Sequence, residues 1–330
     1  MGQESGLFEV RDAAVAGTFT PATTPGGVTQ QDIVEGWIQH VLGFIDVAKL
    51  TPLHLAVDAG NGMAGKIFPE LEPYVPWQVE ELYFELDGTF PNHIANPLEP
   101  KNLQDVIKKI KAVKADAGVA FDGDGDRAVL IDEKGEPLTG TVMTAILAEH
   151  FLRQQPGATV LHNAITGWAA VEAVKAAGGT PVRTRVGHSF IKGDMRQHDA
   201  VFAGEHSGHY YFKDNFRADS GLLAAVIGLY LLGESGKKLS ELAAPYRKAY
   251  VQITETNFEV KDKEAVLKHI SETFKDGKQD RLDGLTVRFD DAWFNVRPSN
   301  TEPLLRLNAE AKTQARLDDL VAQVTDLIKA

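Results

Sequence analysis

The sequence predicts two successive α/β domains with mixed, largely parallel sheets covered by helices, then a smaller C-terminal α+β domain with a mostly antiparallel sheet. Three observations carry this expectation. Apolar strand-like runs that end in glycine turns alternate with helical stretches, the pattern of strands joined by covering helices. The alternation begins afresh near Pro156. After about Tyr250 it gives way to short strands with two helices among them.

Taken in order, the chain to Gly27 ends in "TFTPATTPGG", a Pro/Thr/Gly linker. "VTQQDIVEGWIQHVLGFID" has helical spacing, with Ile33, Trp37, Val41 and Phe44 on one face and Thr29 as its cap. "LHLAVDAGNG" reads as a buried strand leading into a helix, and "VEELYFEL" as a strand. "NLQDVIKKIKAVK" is an amphipathic helix, "DAGVAF" and "AVLID" are strands, and "GTVMTAILAEHFLRQ" is a helix. The second unit runs "ATVLHN" (strand), "GWAAVEAVKAAGG" (helix), "TPVRTRV" (strand), "FIKGDMRQH" (short helix) and "AVFAGE" (strand). A long helix from Asp219 and a short one at "LSELAAPY" close it. The last unit has strands at "YVQITETNFEV", "GLTVRFD", "AWFNVRPS" and "LLRLNAEA", with helices at "KEAVLKHISETFK" and "TQARLDDLVAQVTDLIKA". The expected domains are therefore 28–154, 155–249 and 250–330, preceded by a segment 1–27. The two α/β units show no strict sequence repeat.

Composition narrows the function. A formal net charge of -12 opposes general binding to nucleic acid phosphates. The absence of cysteine excludes disulfides, thiolate metal sites and cysteine nucleophiles. No signal peptide is visible at "MGQESGLFEVRD", and the longest apolar run, "GLLAAVIGLYLLG", is too short to span a bilayer and reads as a buried helix. A cytoplasmic protein that meets neither membrane nor nucleic acid is expected.

"AFDGDGDRAVLID" is the first chemical signal. Asp122, Asp124 and Asp126 alternate with glycines that let the backbone curl, so their oxygens can converge. Crowded carboxylates repel unless a cation neutralises them, and oxygen ligands with open positions suit Mg²⁺ at a phosphoryl-transfer site. An EF-hand loop would match Asp122, Asp124, Asp126 and Glu133, but Arg127 stands where it needs glycine and its flanks read as strands. An aspartyl-phosphatase of the haloacid-dehalogenase type, with Asp122 as nucleophile, is the rival. A plain surface turn explains neither the apolar approach nor the arginine.

Two further loops carry donors and acceptors. "AGEHSGHYYF" places Glu205, Ser207 and His209 on a glycine-bounded loop able to bond sugar hydroxyls, though a capped turn would look the same. "TRVGHSFIK" adds His188. In "VRPSNTEPLLRL", Arg297, Ser299, Asn300 and Thr301 offer the guanidinium fork, hydroxyls and amide that a phosphate needs. A cation loop, a hydroxyl-reading loop and a phosphate nest on three domains suggest a cleft for a phosphorylated sugar.

"FDGDGDR", "GEHSGH" and "RPSNTEP", in this order, resemble the metal, sugar and phosphate loops of the α-D-phosphohexomutase superfamily, above all the bacterial phosphomannomutase/phosphoglucomutase enzymes. "VDAGNGMAG", "DGTFPNHIANPLEPKNL" and "GGTPVRTRVGHSFIK" resemble further stretches of that family, so the likeness covers roughly residues 7–330. It implies a four-domain fold around a central cleft and an isomerase that moves a phosphoryl group between the 1 and 6 positions of a hexose through a bisphosphate. By resemblance, Asp122, Asp124 and Asp126 bind Mg²⁺, and Arg127 stabilises the transferring phosphate. Glu205 and Ser207, with His188 nearby, read the sugar, and Arg297, Ser299, Asn300 and Thr301 hold the other phosphate. The family's phosphoserine lies in a stretch like T-A-S-H-N-P, and none occurs in these 330 residues. "GLFEVRDAAVAGTFTPA" resembles only the tail of the first domain. The resemblance thus implies no turnover by this chain alone, activity if a separate first domain acts in trans, and apolar surface left wet where that domain would sit. A non-catalytic sugar-phosphate-binding protein and an Asp122 phosphatase are the competing expectations.

Overall fold

The computed structural model describes residues 6–299 and 303–329. Two four-stranded sheets share one plan. In the first, β1 (Leu53–Asp58), β2 (Trp77–Leu82), β3 (Ala117–Phe121) and β4 (Ala128–Asp132) lie in the order β2-β1-β3-β4. The pairs β1–β2 and β1–β3 are parallel, and β4 runs antiparallel to β3. In the second, β5 (Thr159–Asn163), β6 (Thr180–Thr184), β7 (Phe202–Gly204) and β8 (Tyr210–Phe212) lie in the order β6-β5-β7-β8, again with only the last strand reversed. The likeness of the two units, which no strict sequence repeat displays, is thus legible as a repeated strand order.

The third sheet is antiparallel throughout. It contains β10 (Thr256–Glu259), β11 (Lys278–Asp280), β12 (Leu285–Arg288), β13 (Ala292–Pro298) and β14 (Leu304–Ala311), ordered β10-β14-β13-β12-β11, with β9 (Val251–Gln252) added on β14. Helices α10 (Lys263–Thr273) and α11 (Gln314–Lys329) close over it on a separate apolar core.

Helix α8 (Gly221–Ser235) decides how the two α/β sheets meet. It is apolar around its whole circumference, and every residue from Gly221 to Leu232 is buried, as a helix without a polar face must be. It packs on β4 and on α5 (Gly140–Gln154), and α5 packs in turn on β7. One continuous apolar cluster therefore runs through both sheets, from Leu55 and Phe121 to Phe202 and Phe212. The remaining helices are α1 (Leu7–Ala16), α2 (Val34–Leu42), α3 (Ala64–Leu71), α4 (Gln104–Val113), α6 (Trp168–Ala176), α7 (His188–Gln197) and α9 (Leu239–Ala249).

The structure corrects several expectations. Helix α2 starts five residues after Thr29, and its Val34 amide is met by Asp32 rather than a threonine cap. Its buried face is Ile38, Val41 and Leu42, while Ile33 is exposed. Strand β2 stops at Leu82, because Tyr83 takes a positive φ and turns the chain. Strands β8 and β11 are too short to announce themselves, and each forms only by pairing with a neighbour. Helix α1 buries no residue.

Because α8 belongs to both α/β sheets, they should unfold as one unit. Leu223→Ala is expected to cost about 2–5 kcal/mol and to shift a single urea transition of both sheets. Two separated transitions would contradict the shared core.

Candidate functional site

Each motif occupies the turn of an antiparallel strand pair. The acidic loop 122–127 joins β3 to β4, the loop 205–209 joins β7 to β8, and the loop from Ser299 joins β13 to β14. The first two occupy the same position in their sheets, and they meet: Arg127 and His209 form an isolated antiparallel bridge.

Burial of β3 delivers Asp122 at 1% exposure, yet its charge is not stranded. Its Oδ1 accepts the Arg127 amide at 3.0 Å and its Oδ2 accepts Arg127 Nε at 2.6 Å. The loop is clamped by backbone from both sides. The Met63 amide donates to the Gly123 carbonyl at 2.9 Å, and the Gly221 amide at the start of α8 donates to the Gly125 carbonyl at 3.2 Å. A Cβ on Gly62 would lie 2.5 Å from the Gly123 oxygen, and one on Gly221 would lie 2.6 Å from the Arg127 carbonyl, so only glycine permits these approaches.

The loop can hold a cation. Oxygens of Asp122, Asp124 and Asp126 come within 4.8 Å of one another, and Asp124 is exposed. Burial, with the Asp122 and Asp124 charges added, pushes the Asp126 carboxyl up to about 6 although His209 opposes this. A carboxylate in that state gains from a hard divalent ion, which these donors fit.

His209 continues the network. Its Nδ1 lies 3.2 Å from Asp219 and 3.6 Å from Asp126. Burial lowers its pKa, but Asp219, Glu205 and Asp126 outweigh that and raise it. Asp219 itself is lifted by burial and then held well below the carboxylate range by His209 and by Lys192, whose Nζ is 2.9 Å away. Lys192 lies on α7, four residues after His188, which is exposed at that helix's first position. Glu205 is buried: Tyr211 donates to one carboxylate oxygen at 2.6 Å and Asn163 to the other at 2.9 Å. Ser207 is half-buried in the same loop.

In the C-terminal sheet, Arg297 lies directly across from Arg306. Glu255 sits between them, 3.1 Å from Arg297 and 3.4 Å from Arg306, and Arg306 also reaches the Ser299 hydroxyl at 3.5 Å. Lys263 donates to the Ser299 carbonyl at 3.3 Å. Asn300 and Thr301 lie outside the described residues. The C-terminal sheet adjoins the loop that carries Glu205. His206 of that loop bonds Thr141, its pKa falls to about 4 through burial, and the nearby Glu255 charge opposes that fall.

Sequence reasoning missed Lys192, Asp219, Glu255, Lys263 and Arg306. Arg306 had a signal, since "AWFNVRPS" and "LLRLNAEA" read as consecutive strands, and their pairing sets Arg306 opposite Arg297. Asp219 and Glu255 had none, because each acquires its partners only through tertiary contacts.

A cavity of about 920 Å³ lies away from these loops, lined by the C-terminal ends of α5 and α8. The N-terminus of α8 meets the acidic loop, and each of these two 15-residue helices spans about 22 Å.

Two outcomes follow from this geometry. Gly221→Ala should displace the acidic hairpin, costing about 1–3 kcal/mol in a thermal melt and lowering the loop's affinity for a divalent cation. The affinity of the acidic loop for a divalent cation should also fall as pH drops through about 6, because the Asp126 proton must leave before an ion is bound. Calorimetry at about pH 5 and about pH 8 reads this, and equal affinities would contradict it.

Comparison with known proteins bears on the family of the chain. Residues 35–135 match the family model described as phosphoglucomutase/phosphomannomutase α/β/α domain II, residues 139–250 match domain III, and residues 255–327 match the C-terminal domain. A relative named as phosphohexose mutases, from Xanthomonas campestris pv. campestris, is 36% identical over 332 residues, covering 100% of this chain and 74% of its own length. A phosphomannomutase of Salmonella montevideo is 39% identical over 318 residues, covering 94% of this chain and 70% of that protein. The crystal structure of a phosphoglucomutase/phosphomannomutase family protein from Burkholderia thailandensis superposes with a TM-score of 0.87 at 33% identity, over 97% of this chain and 69% of that one. The repeated α/β plan, the third antiparallel sheet and these matches together show that the chain belongs to the phosphoglucomutase/phosphomannomutase family.

Proposed function

We propose that this chain binds a phosphorylated hexose and serves the phosphomannomutase-type shift of a phosphoryl group between the 1 and 6 positions through a bisphosphate. One observation carries the reading. The acidic loop and the sugar-loop candidate bridge at Arg127 and His209, while His206 of that second loop meets the Thr141 hydroxyl, which also reaches Gln252 of the C-terminal sheet at 3.4 Å. These links support reading the three loops as parts of one site.

Asp122, Asp124 and Asp126 would hold Mg²⁺, which supplies electrostatic stabilisation to a phosphoryl oxygen. Arg127 is anchored through its Nε, so its terminal nitrogens remain to meet charge on the transferring group. Ser207 and His188 offer polar groups to the sugar, and Glu205 is oriented by Tyr211 and Asn163. Arg297, Ser299, Asn300 and Thr301 would hold the second phosphate, with Arg306 and Lys263 adding charge. Glu255 occupies the guanidinium groups until a phosphate displaces it.

These 330 residues contain no T-A-S-H-N-P stretch to supply a donor serine. The chain alone should therefore bind but not turn over, and a first domain added in trans should restore turnover. A phosphatase built on Asp122 suits the geometry less well, since that carboxylate is buried and engaged by Arg127 through both oxygens.

Calorimetry with mannose 6-phosphate and Mg²⁺ should show binding that Arg297→Ala weakens about 10- to 100-fold, as losing a charge-assisted hydrogen bond would. Conversion of mannose 1-phosphate by the chain alone would overturn the missing-donor reading. Phosphate release abolished by Asp122→Asn, with a trapped aspartyl-phosphate, would favour the phosphatase. Binding that no first domain converts to turnover would favour a non-catalytic binding protein.

A further inference from the structure

A smaller cavity, of about 330 Å³, lies where the second α/β sheet meets the C-terminal sheet, and no residue lining it belongs to the three motif loops. Two cross-strand pairs form its walls. His162 on β5 stands opposite Arg183 on β6, and Arg288 on β12 stands opposite Trp293 on β13. Asp280 of β11 fastens the walls together: one of its oxygens accepts from Arg183 and the other from Arg288, at 2.5 Å. Each guanidinium gives one terminal nitrogen to that carboxylate. Helix α6 closes the recess with Trp168 at its first position and Lys175 in its last turn. Glu310 holds the two tryptophans together, accepting from the Trp168 amide at 2.8 Å and the Trp293 indole at 2.9 Å.

The charge of this recess is one-sided. Lys175, Arg183 and Arg288 line it, and among the described residues no aspartate or glutamate does. Arg183 and Arg288 pair with Asp280, whereas Lys175 has no carboxylate partner among the described residues. In a chain of net charge -12, a recess walled by one sign of charge concentrates the opposite ion. His162 supplies an independent observation. It is only 9% exposed. Its Nδ1 lies 3.2 Å from the Asn163 carbonyl, which can only accept, so the ring hydrogen is on Nδ1 and Nε2 carries a lone pair. Burial foremost, with the Arg183 and Lys175 charges added, lowers its pKa to about 4 against the pull of the Asn163 carbonyl, which keeps the ring neutral. Nε2 meets no donor among the described residues, yet it is not sealed from solvent. A nearly buried acceptor without a donor, in a recess lined by cations, is a polar group waiting for a ligand's hydrogen.

We propose that this recess binds a small hydroxylated anion, whose phosphate or carboxylate meets Lys175 and the remaining guanidinium nitrogens of Arg183 and Arg288, and whose hydroxyl donates to His162 Nε2. Trp168, Trp293 and Pro181 provide the apolar wall for its carbon skeleton. Contacts come from β5, β6 and α6 on one side and from β12 on the other, so the ligand would brace the two units against each other. The site does not rest on the phosphohexose reading of the motif loops.

Tryptophan fluorescence of the 330-residue chain tests this, with Trp168 and Trp293 as reporters and no divalent cation present. The probes are glycerol 3-phosphate and glycerate, each beside a partner without hydroxyls, ethyl phosphate and propionate. At about pH 8 a phosphate monoester carries no proton of its own to donate. At least one hydroxylated probe should give a saturable signal, and which one does so separates phosphate from carboxylate. Lys175→Ala should weaken that binding about 10-fold, as loss of a charged contact does, while Arg297→Ala should leave it unchanged. His162→Phe should weaken the hydroxylated probe about 3- to 10-fold and leave its hydroxyl-free partner unaffected. No saturable signal from either hydroxylated probe would overturn the site. Binding that Arg297→Ala removes and Lys175→Ala spares would also overturn it, by placing the anion on the C-terminal hairpin. Equal losses for both members of a probe pair in His162→Phe would refute the hydroxyl contact. If His162→Phe does not fold, the exposed Lys175 decides: a signal abolished by Lys175→Glu supports the site, and unchanged binding refutes it.

Discussion

The meeting of two hairpin turns, one from each α/β sheet, is the constraint on which the rest of the site depends. Arg127 bridges to His209 because α8 brings the second unit hard against the first, with its opening glycine in contact with the acidic loop. The loop cannot drift to relieve its own repulsion. Its carbonyls are taken by the Met63 and Gly221 amides, and its arginine is taken by Asp122. Three carboxylates are consequently held together whether or not a cation is there to neutralise them. Burial first, with the Asp122 and Asp124 charges adding to it, raises the pKa of Asp126, and ion binding would relieve the repulsion among the three.

The charges around this loop form a graded series rather than isolated pairs. Asp122 is satisfied by Arg127, Asp219 by Lys192 and His209, and Asp126 is the least compensated. In the C-terminal sheet Arg297 and Arg306 stand across from each other, with the Glu255 carboxylate 3.1 Å from one and 3.4 Å from the other.

The units are coupled unequally. The two α/β sheets share a continuous apolar core through α5 and α8, which ties them rigidly. The C-terminal sheet keeps its own core and meets its neighbour through polar contacts: Glu310 with Trp168, Gln252 with Ile165, and Asp283 with the Val186 amide. Polar junctions of this kind favour relative motion more than apolar ones do. Any movement between units should then occur at this junction rather than between the first two sheets.

Much of the fold was legible in the chain because its long elements have unambiguous periods. Helix α5 was expected over the same residues it occupies, and the strands around the aspartates were expected within a residue or two. Short strands such as β8, and the true cap of α2, were not legible, because cross-strand pairing and local Asp32 geometry decided them. The acidic triplet, the sugar-loop candidate and the Arg297 segment were visible as motifs, since each packs its donors or acceptors into a few consecutive residues. Lys192, Asp219, Glu255 and Glu310 were not, because the groups they meet are distant in sequence and only folding brings them together. The sequence by itself determined which chemistry was available, since residue types and turn glycines are local properties. Tertiary structure alone decided which charges are paired and which are left for a ligand, because burial and partners belong to the packed chain and not to any segment of it.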